Sequence, residues 1–157
     1  MLDPIKIFHC LQKNDVSFFT GVPDSLLKDF CACVTKNTLN NQHVIAANEG
    51  GAVALAVGYH LATGKVPLVY LQNSGVGNVI NPLLSLADPD VYATPLLFVI
   101  GWRGEPGVQD EPQHKKQGRV MLSMLDSMEI PYTIMSSDME QAESSISQAL
   151  RTARDNN

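Results

Sequence analysis

Apolar residues recur along the chain in two alternating rhythms, one helical and one strand-like. Ile5, Phe8 and Leu11 return at helical spacing behind Asp3, a cap, and Pro4, a first-turn proline. Residues 16–20 form a short β-prone run that Gly21-Val22-Pro23 breaks, and Asp24 is placed to cap a helical stripe of Leu26, Leu27, Phe30, Cys31 and Val34. A buried strand at 44–46 leads to Asn48, a good helix cap, then Glu49-Gly50-Gly51 and an apolar helical run over 52–63 that Gly64 closes. The third predicted strand, 66–72, ends in Asn73-Ser74-Gly75-Val76-Gly77-Asn78, and a helix through Leu83, Leu84 and Leu86 follows. Residues 95–101 are almost continuously apolar, as a strand covered on both faces requires. After the polar stretch 102–118 the pattern predicts a helix over 119–129 and a fifth strand over 132–135. A last helix is capped at Ser137 or Asp138, with Met139, Ala142, Ile146, Ala149, Leu150 and Ala153 on one face.

Strand and helix alternate with short connections, which predicts an α/β fold of three layers, a parallel sheet with helices on both faces. The 157 residues suit a single domain with a real core, and no internal repeat or low-complexity linker divides them. Hydrophobic residues at 45% and charged residues at 17% are a globular balance. The net charge of −5 argues against nucleic acid or an acidic membrane as partner, since both want a basic face. The longest apolar runs fall far short of the roughly 20 residues that cross a bilayer. The amino terminus lacks a signal-peptide pattern, so a cytoplasmic location is expected. Cys10, Cys31 and Cys33 are odd in number and lack Cys-x-x-Cys spacing, and buried free thiols are expected rather than a bridge or metal site.

Chemistry is sought at the carboxyl ends of the strands, where open α/β sheets collect ligands. Five loops leave such ends: 21–25, 47–51, 73–78, 102–118 and one at Ser136. Glu49 sits at a strand-to-helix corner, although a glutamate in a first helical turn commonly does no more than complement the helix dipole. Residues 73–78 lack both Gly-x-Gly-x-x-Gly and a Walker lysine, and Gly75 and Gly77 serve a tight turn equally well. The 102–118 stretch carries Arg103, Glu105, Asp110, Glu111, His114, Lys115 and Lys116, with Arg119 just beyond. At 17 residues it predicts a lid, a binding loop or a solvated surface loop. His114, with cations on either side, is a candidate acid–base group.

Gly21-Val22-Pro23-Asp24, Asn48-Glu49-Gly50-Gly51 and Ser74-Gly75-Val76-Gly77-Asn78, in this order and spacing, resemble the pyrimidine-binding domain of thiamine-diphosphate-dependent decarboxylases. The resemblance covers nearly the whole chain. The strings GVPDSLLKDF from Gly21, LATGKVPLVYLQNSGVGN from Leu61 and GWRGEPGVQDEPQHKKQGR from Gly101 are most similar to the phosphonopyruvate decarboxylases of that family, with the sulfopyruvate decarboxylases as near relatives.

The resemblance implies a cofactor, thiamine diphosphate with Mg2+, and a small anionic 2-oxo acid as substrate. It implies that Glu49 hydrogen-bonds a pyrimidine ring nitrogen and that Asp24 and His114, with Asp110 beside them, handle protons. By the same resemblance Asn73, Ser74, Gly75, Gly77 and Asn78 lie against the cofactor and Ser25 orients the substrate. The substrate's anionic group then draws on Arg103, Lys28, Lys115, Lys116 and Arg119, Arg103 first. The family's diphosphate- and magnesium-binding half carries a Gly-Asp-Gly motif that occurs nowhere in this sequence, so Asn156-Asn157 is not that site. The chain is expected to be half of an active site, inactive alone, completed by a diphosphate-binding domain or subunit in a homo- or hetero-oligomer. A non-catalytic binding module of the same fold is the alternative outside enzymology, and the retention of Glu49, Asp24 and His114 together weighs against it.

Overall fold

The computed structural model describes residues 2–155; Met1, Asn156 and Asn157 lie outside the described residues. Six helices and four strands follow in the order α1 (Pro4–Lys13), β1 (Phe19–Gly21), α2 (Lys28–Asn37), β2 (His43–Ile45), α3 (Glu49–Thr63), β3 (Leu68–Gln72), α4 (Val76–Pro82), β4 (Leu97–Gly101), α5 (Pro112–Ser127) and α6 (Met139–Asp155). A 3-10 turn, Asn73–Gly75, opens α4, and a π turn, Leu83–Ala87, ends it. The strands form one parallel sheet in the order β2-β1-β3-β4. The chain moves one way from β1 to β2, then crosses back to β3. With a constant crossover hand this reversal puts α2 and α3 on opposite faces.

The two faces are visible in β3 alone. Leu68 and Tyr70 pack with Phe8 and Leu11 of α1, Phe30 and Val34 of α2, and Ile146 and Leu150 of α6. Val69 and Leu71, on the alternate positions, pack with Val53 and Val57 of α3, Val79 of α4, and Met121 and Leu125 of α5. The expected three layers are therefore present. All three cysteines are buried free thiols. Tyr70 is fully buried, and its hydroxyl meets His43 Nε2 at 2.7 Å. Burial pushes that phenol above its ordinary value and His43 below its own, so the pair is a neutral hydrogen bond tying β3 to β2.

Several expectations are corrected. The fifth strand does not form. Residues 131–135 join no strand although β4 ends the sheet, and Tyr132 and Ile134 are 41% and 58% exposed: β-prone side chains that bury neither face do not make a strand. The supposed 17-residue loop is half helix: Pro112 at the first position of α5 starts it early, so His114, Lys115 and Lys116 are helical. The strand at 44–46 lies one residue earlier and is an edge strand, with Ile45 59% exposed instead of buried. β1 likewise starts three residues later than the β-prone run, leaving Val16 as buried core before the ladder begins. Asp24 does not cap α2, which begins at Lys28 behind Leu27; its carboxylate bonds the Leu26 amide within a tighter turn. At the other end of the chain, Asp138 accepts from the Gln141 amide and takes the capping position at α6.

Candidate active site

The four strands end on one edge of the sheet, and direct contacts join the turns that leave them. At the end of β2, Asn48 Oδ1 accepts from the Gly51 amide at 2.8 Å and starts α3, which holds Glu49 in its first turn. The half-buried Glu49 side chain leans across the end of β3, where a Cβ on Gly75 would stand 2.5 Å from its Cγ and Oε1. Glycine at 75 leaves the room that the carboxylate occupies. Asn78 Nδ2 donates to Glu49 Oε2 at 2.8 Å, and Oε1 has no hydrogen-bond partner among the described residues.

Asp24, at the end of β1, is 6% exposed. Its Oδ2 accepts from the Leu26 amide at 3.1 Å and would lie 2.2 Å from a Cβ on Gly101, so the carboxylate rests on the bare backbone at the end of β4. Its Oδ1 is buried without a hydrogen-bond partner among the described residues. Leaving a buried carboxylate oxygen unpaired is costly, and such groups point to a ligand or a catalytic role.

At the end of β3 the buried Asn73 works as a clasp: Nδ2 donates to the Arg103 carbonyl at 2.8 Å and Oδ1 accepts from the Arg103 amide at 3.2 Å. Both ends of its side chain are spent on joining β3 to β4. Ser74 Oγ accepts from Gln72 Nε2 at 2.6 Å and is exposed. Gly77 is exposed too, and an added Cβ there would meet nothing within 4 Å, so packing does not demand a glycine.

Beyond β4 the polar groups are densest. Arg103 donates from Nε and Nη2 to the two oxygens of Asp110 at 2.8 and 2.6 Å, and from Nη1 to Ser25 Oγ at 2.5 Å. Asp110 also accepts from the Gly104 and Glu111 amides, both at 2.7 Å, and faces His114 Nδ1 at 3.0 Å. The Arg103 bonds, then that of His114, hold the Asp110 carboxyl well below the usual carboxylate range, and Asp110 in turn raises the guanidinium. Gly104 at φ +69° and Gly118 bring this loop hard against α5, since a Cβ on Gly118 would stand 1.7 Å from the Gly104 carbonyl oxygen. Trp102 Nε1 donates to the Gly118 carbonyl at 2.9 Å and closes the same contact.

The fold thus brings together Glu49, Gly75 and Asn78 in one corner, and Ser25, Asn73, Arg103, Asp110 and His114 in another, with Asp24 on the end of β4. Lys28, Lys115, Lys116 and Arg119 are exposed and make no ion pair among the described residues. The hub at Asp110 and the Gly104–Gly118 approach were not foreseen. The i, i+4 spacing of Asp110 and His114 around Pro112 was the available signal. Among the described residues no cluster of three His, Cys, Asp or Glu is placed to hold a metal ion. No helix among them is long and apolar enough to cross a membrane. What the edge does offer is a glycine-walled corner with one carboxylate oxygen open and, on the neighbouring strand, another carboxylate oxygen buried and unpaired. That donor set fits a nitrogen heteroaromatic ring better than a bare ion.

The sequence profile of the thiamine pyrophosphate enzymes, for their N-terminal TPP-binding domain, matches residues 6–130. The chain belongs to this family. As a thiamine pyrophosphate enzyme domain, it is 35% identical over 120 residues to the phosphonopyruvate decarboxylase of Streptomyces viridochromogenes, a match covering 76% of this chain and 29% of that protein. It is 32% identical over 133 residues to the sulfopyruvate decarboxylase subunit alpha of Methanocaldococcus jannaschii, covering 83% of this chain and 75% of the subunit. The benzoylformate decarboxylase structure from Polynucleobacter necessarius superposes with a TM-score of 0.76 over 97% of this chain and 27% of that one; at 23% identity it speaks for the fold. The family is thus fixed by sequence, and its architecture is the one described above.

Proposed function

We propose that the chain is the amino-terminal half of a thiamine-diphosphate-dependent 2-oxo acid decarboxylase, converting phosphonopyruvate to phosphonoacetaldehyde and carbon dioxide. Residues 1–157 act as a single pyrimidine-binding domain, and the diphosphate and Mg2+ are held by a separate domain or subunit in an oligomer. The observation that carries the reading is the Glu49 corner, a half-buried carboxylate with Oε2 on Asn78, Oε1 open, and Gly75 bare beside it.

When bound, thiamine diphosphate supplies the place for the electron pair left behind as carbon dioxide departs. Everything else falls to side chains. Glu49 holds a proton against a ring nitrogen at Oε1, the oxygen that Asn78 leaves open. Asp24 and His114 move protons to and from the reacting carbon, Asp24 through the unpaired Oδ1. Ser25 orients the substrate, and the cations on this rim, Arg103 and Lys28 among them, meet its anionic group. Asn73, Ser74, Gly75, Gly77 and Asn78 form the wall along the cofactor.

A second reading keeps the chemistry and changes the substrate to sulfopyruvate. It is supported by the likeness to the sulfopyruvate decarboxylase subunit alpha, 32% identical over 133 residues. Carbon dioxide release from the two substrates in parallel, with this chain completed by its diphosphate-binding half, thiamine diphosphate and magnesium, decides between them. Faster turnover of phosphonopyruvate is expected. Preference for sulfopyruvate selects the second reading, and release from neither overturns both.

A further inference from the structure

We propose that Asp110 is a positioning residue: it fixes His114 in the tautomer that carries its proton on Nδ1, and so makes Nε2 the nitrogen that exchanges protons in the reaction. The inference deepens the proposed function and rests on it for the role of His114, whereas the tautomer itself is a property of this chain alone.

Five donors converge on one carboxylate. Oδ1 receives Arg103 Nη2, the Glu111 amide and His114 Nδ1, and Oδ2 receives Arg103 Nε and the Gly104 amide. An ionised carboxylate offers about four lone-pair sites, so none is left over for a substrate or a reacting proton. Asp110 is also kept ionised, because the bonds from Arg103 and His114 favour the charged form. It is therefore an acceptor only. A neutral imidazole has one N–H and one bare nitrogen, and a contact of 3.0 Å between Nδ1 and a carboxylate oxygen is a hydrogen bond only if the proton is on Nδ1. Nε2 is then bare, free to take a proton and return it.

The frame around the pair is built to keep this geometry. Pro112 opens α5, so His114 stands in its first turn and Asp110 just outside it. Gly104 and Gly118 press the loop against that turn, with no room for a Cβ at either position. The bidentate Arg103 contact prevents the carboxylate from rotating, and Arg103 passes the restraint on to Ser25 through Nη1. The side chain that acts and the side chain that holds it are thus distinguished: among the described residues His114 Nε2 has no hydrogen-bond partner, whereas Asp110 retains no free oxygen.

The test reads the tautomer directly. Long-range proton–nitrogen correlation spectra of the ring-labelled chain, recorded at alkaline pH where imidazoles are neutral, are expected to show His114 with protonated Nδ1 and bare Nε2. Asp110→Asn is expected to lose that single state, with His114 turning to the Nε2–H form or to a mixture, while dispersion elsewhere in the spectrum is kept. In the completed assembly the same variant is expected to lower kcat about 10²-fold with less than about a threefold change in KM, the size of an acid–base contribution. An Nε2–H ring in the unmodified chain overturns the proposal without any variant, as does an unchanged tautomer in Asp110→Asn. The expected tautomer together with no carbon dioxide release from either substrate supports the positioning role and overturns the decarboxylase reading instead.

Discussion

The two carboxylates at opposite ends of this sheet edge are treated in opposite ways. Glu49 is held by a single side-chain hydrogen bond from an exposed asparagine and has one oxygen open, its room secured by a missing Cβ at Gly75. Asp110 is held by five donors and pressed in place by backbone-to-backbone contact. A group that is to exchange a proton needs an unspent lone pair, and a group that is to hold geometry needs all of its lone pairs spent. The corner at Glu49 is therefore the open end, where we propose the proton exchange, and the clamp at Asp110 the rigid one.

Glu49→Gln tests the open end most severely. The amide keeps the shape and can still meet Asn78, but it cannot share a proton, so turnover in the completed assembly falls by about 10²- to 10⁴-fold. The circular dichroism spectrum and thermal midpoint stay near those of the parent chain. Turnover within a few-fold of the parent would remove Glu49 from the chemistry and end the contrast between the two carboxylates.

Gly118→Ala against Gly75→Ala separates stability from activity. At 118 the new methyl meets the Gly104 backbone at 1.7 Å, which has no room to give, and at 75 it meets the flexible Glu49 side chain at 2.5 Å. Overpacking against backbone costs about 1–3 kcal/mol or more, so Gly118→Ala lowers the unfolding midpoint in urea clearly. Gly75→Ala lowers it less and removes turnover more, because Glu49 yields by leaving its position. Equal losses of stability would show the corner to be as rigid as the clamp.

Asn78→Ala has a smaller effect. Asn78 is exposed, so stability stays within about 0.5 kcal/mol of the parent. Loss of the bond to Glu49 Oε2 frees the carboxylate to turn, and turnover falls about tenfold, the scale of about 1.4 kcal/mol in positioning. Steady-state kinetics together with urea unfolding checks both halves.

The layers were legible in the sequence because α1, α2, α5 and α6 each show one apolar stripe and β3 one unbroken apolar run, and these depend on local periodicity. The corner was legible too, since Asn48 before Glu49-Gly50-Gly51 is a local capping pattern at a strand end. What depends on distant pairing was not. Residues 132–135 have the composition of a strand, yet nothing in them says that they stay unpaired while β4 ends the sheet. Asn73 stood out as a glycine-loop residue, but its role as a clasp depends on meeting Arg103, 30 residues on. Asp110 and His114 sit four apart and the pairing was there to be seen, whereas the two bonds from Arg103 become visible only once the loop is folded back on α5.

The clamp should also leave a trace in the pH dependence of stability. Asp110 binds its proton less readily in the folded chain than in the unfolded one, where its ordinary value is 3.8. Its contribution is therefore fully present above that value and is lost as pH falls through the lower folded value. Asp110→Asn lacks the contribution at every pH. The difference in urea midpoint between parent and variant is expected to be level from about pH 7 to about pH 5 and to narrow toward about pH 3. The effect is the smallest of the four, because only the part of the loss between the ordinary value and about pH 3 falls within the range compared. A difference that stays level down to the acid limit would mean that the charge at Asp110 does not hold the clamp, leaving glycine packing alone to keep this end rigid.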